Sequence, residues 1–158
     1  IDGYDPYEAA YWKNLTPDAA FRKYLLGTLE CVKAHHNFDV LGHLTYVCKS
    51  VHNPTRKPVP FKDHLDITDE IMKILITKGI GMEINTSGVD RTGTFLPSAD
   101  YLKRFKELGG EIVTVGSDAH TTEYIGKYFN TVKEMLKACG YDYYTTFHKR
   151  KPEFIKLI

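Results

Sequence analysis

Short apolar stretches alternate along this chain with segments of helical periodicity, and this alternation limits the folds that the chain can adopt. The stretches typical of strands are 39–42, 80–85, 112–115 and 143–147. The segments with helical periodicity are about 7–14, 17–35, 66–78, 98–108 and 127–139. A regular alternation of this kind favours an α/β fold with parallel strands.

Local signals mark several of the boundaries. Thr16 and Pro17 are typical of the start of a helix, and Gly79 is typical of a helix end. Residues 49–62 are polar and rich in proline, which predicts a long surface loop. Such a loop either covers a site or is a solvent-exposed connection, and the sequence leaves both open. The residues after 147 are expected to form a short tail.

Composition describes one ordinary globular domain of 158 residues. Its 21 Lys and Arg residues nearly balance 20 acidic residues, so no charge bias toward nucleic acid or an anionic membrane is expected. The chain lacks both a secretory signal and an apolar run of the ~20 residues that cross a bilayer. Three widely spaced cysteines predict no disulfide framework. We therefore expect a cytoplasmic protein.

Polar side chains occur where the predicted strands end. His43 follows the first strand, Glu83 and Asn85 close the second, and Asp118 and His120 follow the third. The carboxyl ends of parallel strands share one face of a sheet, so these residues are expected to lie close together.

Histidine and carboxylate side chains are the usual ligands of Zn²⁺, Mn²⁺ or Fe at hydrolytic centres. We predict that His43, Asp118 and His120 bind metal. Asp118 and His120 are two residues apart and reach one point if the chain stays extended. As alternatives, Asp118 caps the following helix, and His43 is a hydrogen-bonded histidine at a strand exit. Taken together, the three residues favour metal ligation.

Two further positions complete the predicted site. A charged Glu83 within a buried strand needs a partner, so we expect Glu83, with Asn85, to support the metal ligands by hydrogen bonds or to meet a structural Arg or Lys. Arg91 lies in the loop after this strand, where its guanidinium could bind a substrate phosphate. By itself, Arg91 is better interpreted as a solvated surface residue.

The order of these motifs resembles the polymerase and histidinol phosphatase (PHP) superfamily, and in particular its histidinol-phosphatase branch. The matching segments are Asp-Val-Leu-Gly-His at 39–43, Met-Glu-Ile-Asn-Thr-Ser-Gly at 82–88, Val-Gly-Ser-Asp-Ala-His at 115–120 and the segment 144–152. The resemblance implies a distorted (β/α)7 TIM-like barrel with a cluster of up to three divalent metals (Zn, Mn or Fe) at the strand ends. It also implies that His43, Asp118 and His120 are metal ligands and that Arg91 contacts the substrate phosphate.

The chain departs from the family pattern at its beginning. Family members open with a His-x-His pair and supply further ligands before the region matched here, and these residues do not occur in this sequence. We therefore expect residues 1–158 to be a single PHP domain that lacks the N-terminal strands and about half of the metal ligands. Pairing with the missing segment, or self-association, would be needed to complete it.

The activity that the resemblance implies is metal-dependent hydrolysis of L-histidinol phosphate to L-histidinol and phosphate, in histidine biosynthesis. Asp118 and His120 would act in catalysis through the metal cluster, and this chain alone is expected to be inactive. Two alternatives remain open: a PHP phosphoesterase that acts on another phosphate ester or on a nucleic acid, the latter disfavoured by the near-zero net charge, and a non-catalytic chain that only associates with a partner.

Overall fold

The chain alternates helices and strands in the predicted order, with one additional short helix and one additional strand. The structure is a computed structural model and describes residues 3–158. The helices are α1 (Ala9–Trp12), α2 (Pro17–Ala34), α3 (Leu65–Thr77), α4 (Val89–Thr92), α5 (Ala99–Glu107) and α6 (Phe129–Ala138). The strands are β1 (Val40–Leu41), β2 (Gly81–Asn85), β3 (Val113–Gly116), β4 (Tyr143–His148) and β5 (Lys151–Lys156). Short 3₁₀ segments lie at Tyr46–Lys49, Lys62–His64, Thr86–Gly88 and Thr122–Tyr124.

A parallel sheet with the order β1-β2-β3 forms the centre of the molecule. Leu41 pairs with Met82 across the first pair of strands, and Asn85 pairs with Gly116 across the second. The carboxyl ends of the three strands therefore meet at one edge of the sheet. The predicted α/β fold with parallel strands is confirmed for this sheet.

Strands β4 and β5 depart from the prediction, because they form an antiparallel hairpin of their own. The residues after 147 are thus a strand rather than a tail. Lys149 and Arg150 make the turn with φ of 49° and 66°, which suits the right-handed twist of a hairpin. The turn lacks the glycine or asparagine that normally signals such a conformation. The hairpin contacts the sheet where the Val113 amide donates to Thr145 Oγ1, at 3.3 Å.

Helix boundaries follow from local capping. Thr16 Oγ1 accepts a hydrogen bond from the Ala19 amide at 3.2 Å, so the predicted start of α2 is confirmed. Gly79, with φ of 67°, ends α3, and the Ile80 amide donates back to the Leu75 carbonyl at 2.8 Å. Helix α4 occupies part of the segment predicted to be a loop.

The hydrophobic core lies between the helices and the sheet. Its largest fully buried side chains include Leu25 of α2, Ile71 of α3, Met82 of β2 and Phe105 of α5. Helices α2 and α3 pack together, and an ion pair from Arg104 to Asp69 joins α5 to α3. No helix among residues 3–158 is long and apolar enough to span a membrane.

One contact joins two segments that are far apart in the sequence. The Arg150 guanidinium, in the turn of the β4–β5 hairpin, donates to both Asp39 carboxylate oxygens at 3.1 and 3.2 Å and to Asn37 Oδ1 at 2.6 Å. Asp39 immediately precedes β1. The hairpin therefore reaches the opposite edge strand of the sheet near its beginning.

Candidate functional site

The carboxylate of Glu83, on the central strand, reaches the ends of both neighbouring strands. Its Oε2 accepts hydrogen bonds from the His43 amide at 2.9 Å and from Asn85 Nδ2 at 3.1 Å. Its Oε1 lies where a side chain at Gly116 would begin, and a Cβ there would overlap it. Glycine at 116 therefore makes room for this carboxylate between the strands.

Asn85 organises the segment that follows β2. Its side chain is buried, and its Oδ1 accepts a hydrogen bond from the Ser87 amide at 3.0 Å. The Ser87 hydroxyl lies 2.6 Å from the same oxygen and 3.2 Å from Asp118 Oδ2. Asn85 thus orients Ser87, and Ser87 in turn contacts Asp118.

Asp118 and His120 lie beyond the end of β3, where the chain is no longer extended. Asp118 has φ of 49°, yet its Oδ1 lies 3.6 Å from His120 Nε2, so the two side chains do converge. The His120 side chain is 86% exposed. The alternative role of Asp118 as a helix cap is excluded, because the residue that precedes the next 3₁₀ turn is Thr121.

The other oxygen of Asp118 is held by two donors. Its Oδ2 lies 3.1 Å from Lys49 Nζ and 3.2 Å from the Ser87 hydroxyl. Burial opposes ionisation of this carboxyl, but the hydrogen bond and charge of Lys49, the hydrogen bond of Ser87 and the charge of His43 together lower its pKa. Asp118 is therefore an ionised acceptor at neutral pH.

His43 has the features of a side chain that lacks a ligand. Its Nδ1 is buried and meets no hydrogen-bond partner among the described residues. Its ring centroid lies 5.0 Å from that of Tyr46, and its backbone has φ of 30°. A buried imidazole nitrogen without a partner is costly, which fits a nitrogen that serves a metal ion or another ligand.

The three predicted ligands come near one another without forming a complete site. Asp118 and His120 are adjacent, and His43 is close enough for its charge to lower the Asp118 pKa. Across residues 3–158, no group of three or more His, Cys, Asp or Glu side chains is placed to hold one ion. The donor types fit a divalent metal, and their number within these residues falls short of the usual set.

Lys49 is the main residue of this site that sequence reasoning missed. Its ammonium lies 2.8 Å from Ser87 Oγ and 3.1 Å from Asp118 Oδ2, and its side chain is only 13% exposed. A lysine at the start of a polar loop normally indicates solvated surface. The one available signal was its position in the segment that directly follows the strand end at His43.

A positively charged cavity of about 290 Å³ opens beside Lys49. It is lined by Cys48, Lys49, Ser50, Val51, Arg56, Asp90 and Arg91. The Arg91 guanidinium lies over the Tyr7 ring, 5.5 Å from its centroid, and Nη1 donates to the Lys49 carbonyl at 3.4 Å. The charges on this wall favour an anionic ligand.

Asp90 does not neutralise the positive charge of the cavity wall, because its carboxylate is already paired with Lys127 and Tyr128. Its carboxylate accepts from Lys127 Nζ at 2.7 Å and from the Tyr128 hydroxyl at 2.5 Å. The hydrogen bond from Lys127, followed by that from Tyr128, lowers the pKa of Asp90. These contacts also attach the segment after His120 to α4, which carries Arg91.

The proline-rich loop 49–62 forms one wall of the cavity. Its buried Asn53 donates to the Cys48 carbonyl at 3.0 Å and accepts from the Thr55 amide at 3.1 Å. Val59 is also buried, and Arg56, with φ of 51°, lines the cavity. Asn53 and Val59 thus anchor the loop beside the site, while residues 51, 52 and 54–57 are exposed to solvent.

Comparison with known proteins identifies relatives of one kind. A histidinol-phosphatase from Lactococcus lactis is 32% identical over 152 residues, which are 96% of this chain and 55% of that protein. Probable histidinol-phosphatases from Thermotoga maritima and Clostridium acetobutylicum are 34% and 29% identical, over 84% and 89% of this chain and 54% of each relative. No protein-family model matches the sequence. The chain thus spans about half the length of these relatives.

Structural comparison agrees with the sequence. The crystal structure of histidinol phosphate phosphatase from Lactococcus lactis, complexed with Zn, L-histidinol and phosphate, superposes with a TM-score of 0.78 at 26% identity. The match covers 97% of this chain and 58% of that one. In sequence and in fold, the chain is therefore similar to the C-terminal part of proteins named histidinol-phosphatase.

Proposed function

We propose that this chain forms part of a metal-dependent phosphomonoesterase that hydrolyses L-histidinol phosphate to L-histidinol and phosphate. The observation that carries the proposal is the position of Asp118, which faces His120 on one side and the cationic cavity, through Lys49, on the other. A metal ligand next to an anion-binding cavity is the arrangement that phosphate-ester hydrolysis requires. The relatives named for this activity support the choice of substrate.

In this proposal, His43, Asp118 and His120 hold divalent metal, with Zn, Mn or Fe as the candidates. Such ions supply the Lewis acidity that activates water and polarises a phosphoryl group. Glu83 fixes the backbone of His43, and Asn85 fixes Ser87 against Asp118.

In this proposal, the substrate binds in the cavity. The guanidinium groups of Arg91 and Arg56, both on its wall, would neutralise the phosphate of the ester. The Asp90 contacts to Lys127 and Tyr128 hold α4, and with it Arg91, at the mouth of the site. The loop 49–62 would restrict water at the phosphate.

We further propose that side chains beyond the described residues complete the ligand set, from another segment of chain or a second copy. The shortage of ligands among residues 3–158 supports this, and it leads us to expect little activity from the chain alone. On the same reasoning, the three parallel strands belong to the C-terminal part of a distorted (β/α)7 barrel, in a single PHP domain. The TM-score of 0.78 over 58% of the solved relative supports this barrel assignment.

Metal binding and activity test the proposal separately. The chain is titrated with Zn²⁺ and Mn²⁺ by isothermal calorimetry, alone and co-purified with the N-terminal part of the Lactococcus lactis enzyme that it does not match. We expect Asp118→Asn to abolish or strongly weaken metal binding and the exposed Asp142→Asn to leave it unchanged. Phosphate release from L-histidinol phosphate is expected from the paired sample and to depend on Asp118.

Wild-type metal affinity in Asp118→Asn would refute the metal site. Metal binding without phosphate release, in the paired sample, would favour the non-catalytic alternative. Faster hydrolysis of other small phosphate esters than of L-histidinol phosphate would favour a different PHP phosphoesterase.

A further inference from the structure

Lys49 occupies the boundary between the predicted metal ligand and the cationic cavity. Its ammonium bridges Asp118 Oδ2 and Ser87 Oγ, at 3.1 and 2.8 Å, and also lines the cavity with Arg56 and Arg91. No other side chain on the cavity wall contacts Asp118 within the part of the chain that the structure describes. On this cavity wall, Lys49 is therefore the one described side chain that can contact both Asp118 and an anion in the cavity.

The Lys49 ammonium is the counter-charge of the Asp118 carboxylate. A partly buried carboxylate is stabilised by a cation nearby, and Lys49 supplies that cation. A divalent ion bound between Asp118 and His120 would place a second positive centre on the same carboxylate. The two cations repel each other at this short range, because water screens little in a partly buried site.

The Lys49 ammonium can bind a second partner, an anion in the cavity. Lysine has a flexible four-carbon stem and a compact charge, so it can change partners without the fixed geometry of a guanidinium fork. The cavity beside it carries Arg56 and Arg91 and favours an anion. A phosphate group bound there would attract the ammonium as the metal releases it from Asp118.

We infer that Lys49 is a phosphate-binding lysine that is held on Asp118 until a divalent cation displaces it. This inference rests on the proposed function, since it requires metal at Asp118 and phosphate in the cavity. It assigns Lys49 two opposite effects: it lowers the affinity of the site for metal and raises the affinity of the metal-loaded site for phosphate. A Lys49–Asp118 ion pair with only a structural role would not both weaken metal binding and strengthen phosphate binding.

Calorimetric titration with Mn²⁺ of the metal-depleted chain, paired as above with the N-terminal part of the Lactococcus lactis enzyme, and then of the Mn²⁺-saturated pair with inorganic phosphate, tests the inference. Lys49→Met is expected to bind Mn²⁺ about threefold more tightly, which corresponds to the loss of one partly exposed charge interaction. It is expected to bind phosphate about tenfold more weakly, as for the loss of one hydrogen bond to a charged group.

Three further variants control the experiment. Lys49→Arg keeps the charge and should retain the wild-type Mn²⁺ affinity with partial phosphate binding. Lys49→Gln removes the charge but keeps a polar side chain, and it replaces Lys49→Met if that variant fails to fold, as judged by circular dichroism. Lys57→Met, an exposed lysine of the same loop, should leave both affinities unchanged.

The outcomes separate the inference from the function on which it rests. If neutral variants of Lys49 bind Mn²⁺ no more tightly than wild type, or bind phosphate equally well, Lys49 is only structural and the inference is overturned. If the paired wild-type sample and all paired variants fail to bind Mn²⁺ at millimolar concentration, the proposed function fails and the inference fails with it.

Discussion

The backbone amide of His43 donates a hydrogen bond to the side chain of Glu83, 40 residues later in the sequence, at 2.9 Å. The bond holds His43 at φ of 30°, a conformation that residues other than glycine rarely adopt. A carboxylate on the central strand thus determines where a predicted metal ligand just beyond the neighbouring strand lies.

Removal of this carboxylate should destabilise the protein. We expect Glu83→Ala to lower the free energy of unfolding by about 1–3 kcal/mol, because the amide of His43 and the side chain of Asn85 lose their acceptor. Urea denaturation followed by circular dichroism measures the change. Glu83→Gln keeps one acceptor oxygen and should lose less; equal losses in the two variants would contradict this account.

Gly116, which lies against the Glu83 carboxylate, should be equally sensitive. Gly116→Ala places a methyl group on Glu83 Oε1 and should cost about 1–3 kcal/mol of stability through overpacking. Gly42→Ala is the matched control, because its methyl group would lie 3.4 Å from Glu83 Oε2, in ordinary contact. In Glu83→Ala/Gly116→Ala the two losses should be less than additive. Full additivity would show that the two positions do not interact.

The ion pair between α3 and α5 should make stability depend on pH. Arg104 donates to both oxygens of Asp69, at 2.9 and 2.6 Å. The hydrogen bond from Arg104, partly offset by burial and reinforced by its charge, lowers the pKa of Asp69. A lowered folded-state pKa stabilises the protein above the unfolded-state pKa, and this stability is lost as the pH falls through the folded-state value.

We therefore expect Asp69→Asn to lower the melting temperature at pH 7, and the difference from wild type to shrink below about pH 4. Thermal unfolding between pH 3 and pH 7 provides the measurement. Asp63→Asn, at an exposed position in the preceding 3₁₀ segment, is the control and should show a smaller difference. A difference for Asp69→Asn that persists unchanged in acid would exclude the ion pair as its cause.

His64 should tolerate an apolar substitution. Its ring is 1% exposed, and both of its nitrogens lack a hydrogen-bond partner among the described residues. Nε2 lies 3.4 Å from Asp18 Oδ1, but outside hydrogen-bond geometry. We expect His64→Leu to raise the free energy of unfolding by about 1 kcal/mol, because it removes buried polar atoms without partners. A loss of stability, shared by Asp18→Asn, would instead make the contact with Asp18 stabilising.

Much of the fold follows from local patterns. The periodicity of apolar residues predicted the parallel sheet and the helices around it, and capping chemistry placed the start of α2 at Thr16 and the end of α3 at Gly79. The parallel arrangement then brought Glu83, Asp118 and His120 to one edge of the sheet. Each of these inferences depends on residues that are close in sequence, or on a general property of parallel strands.

Other features depend on contacts that local patterns do not encode. Lys49 and Asp118 are 69 residues apart, and only the folded chain shows that they meet. The β4–β5 hairpin escaped prediction because Lys149 and Arg150 adopt positive φ without the usual turn residues. The left-handed backbone of Asp118 likewise replaced the extended geometry expected there, although the side chain still meets His120.

The contact between Asp39 and Arg150 has a consequence for the order of folding events. It closes a loop of 111 residues, so its entropic cost is met only after the intervening helices and strands have docked. Its formation would therefore be a late step, and its loss would mainly accelerate unfolding rather than slow the collapse of the core. A fluorescent or exchange probe placed at the hairpin turn would report completion of the native structure, whereas probes in α2 or α3 would report its earlier assembly.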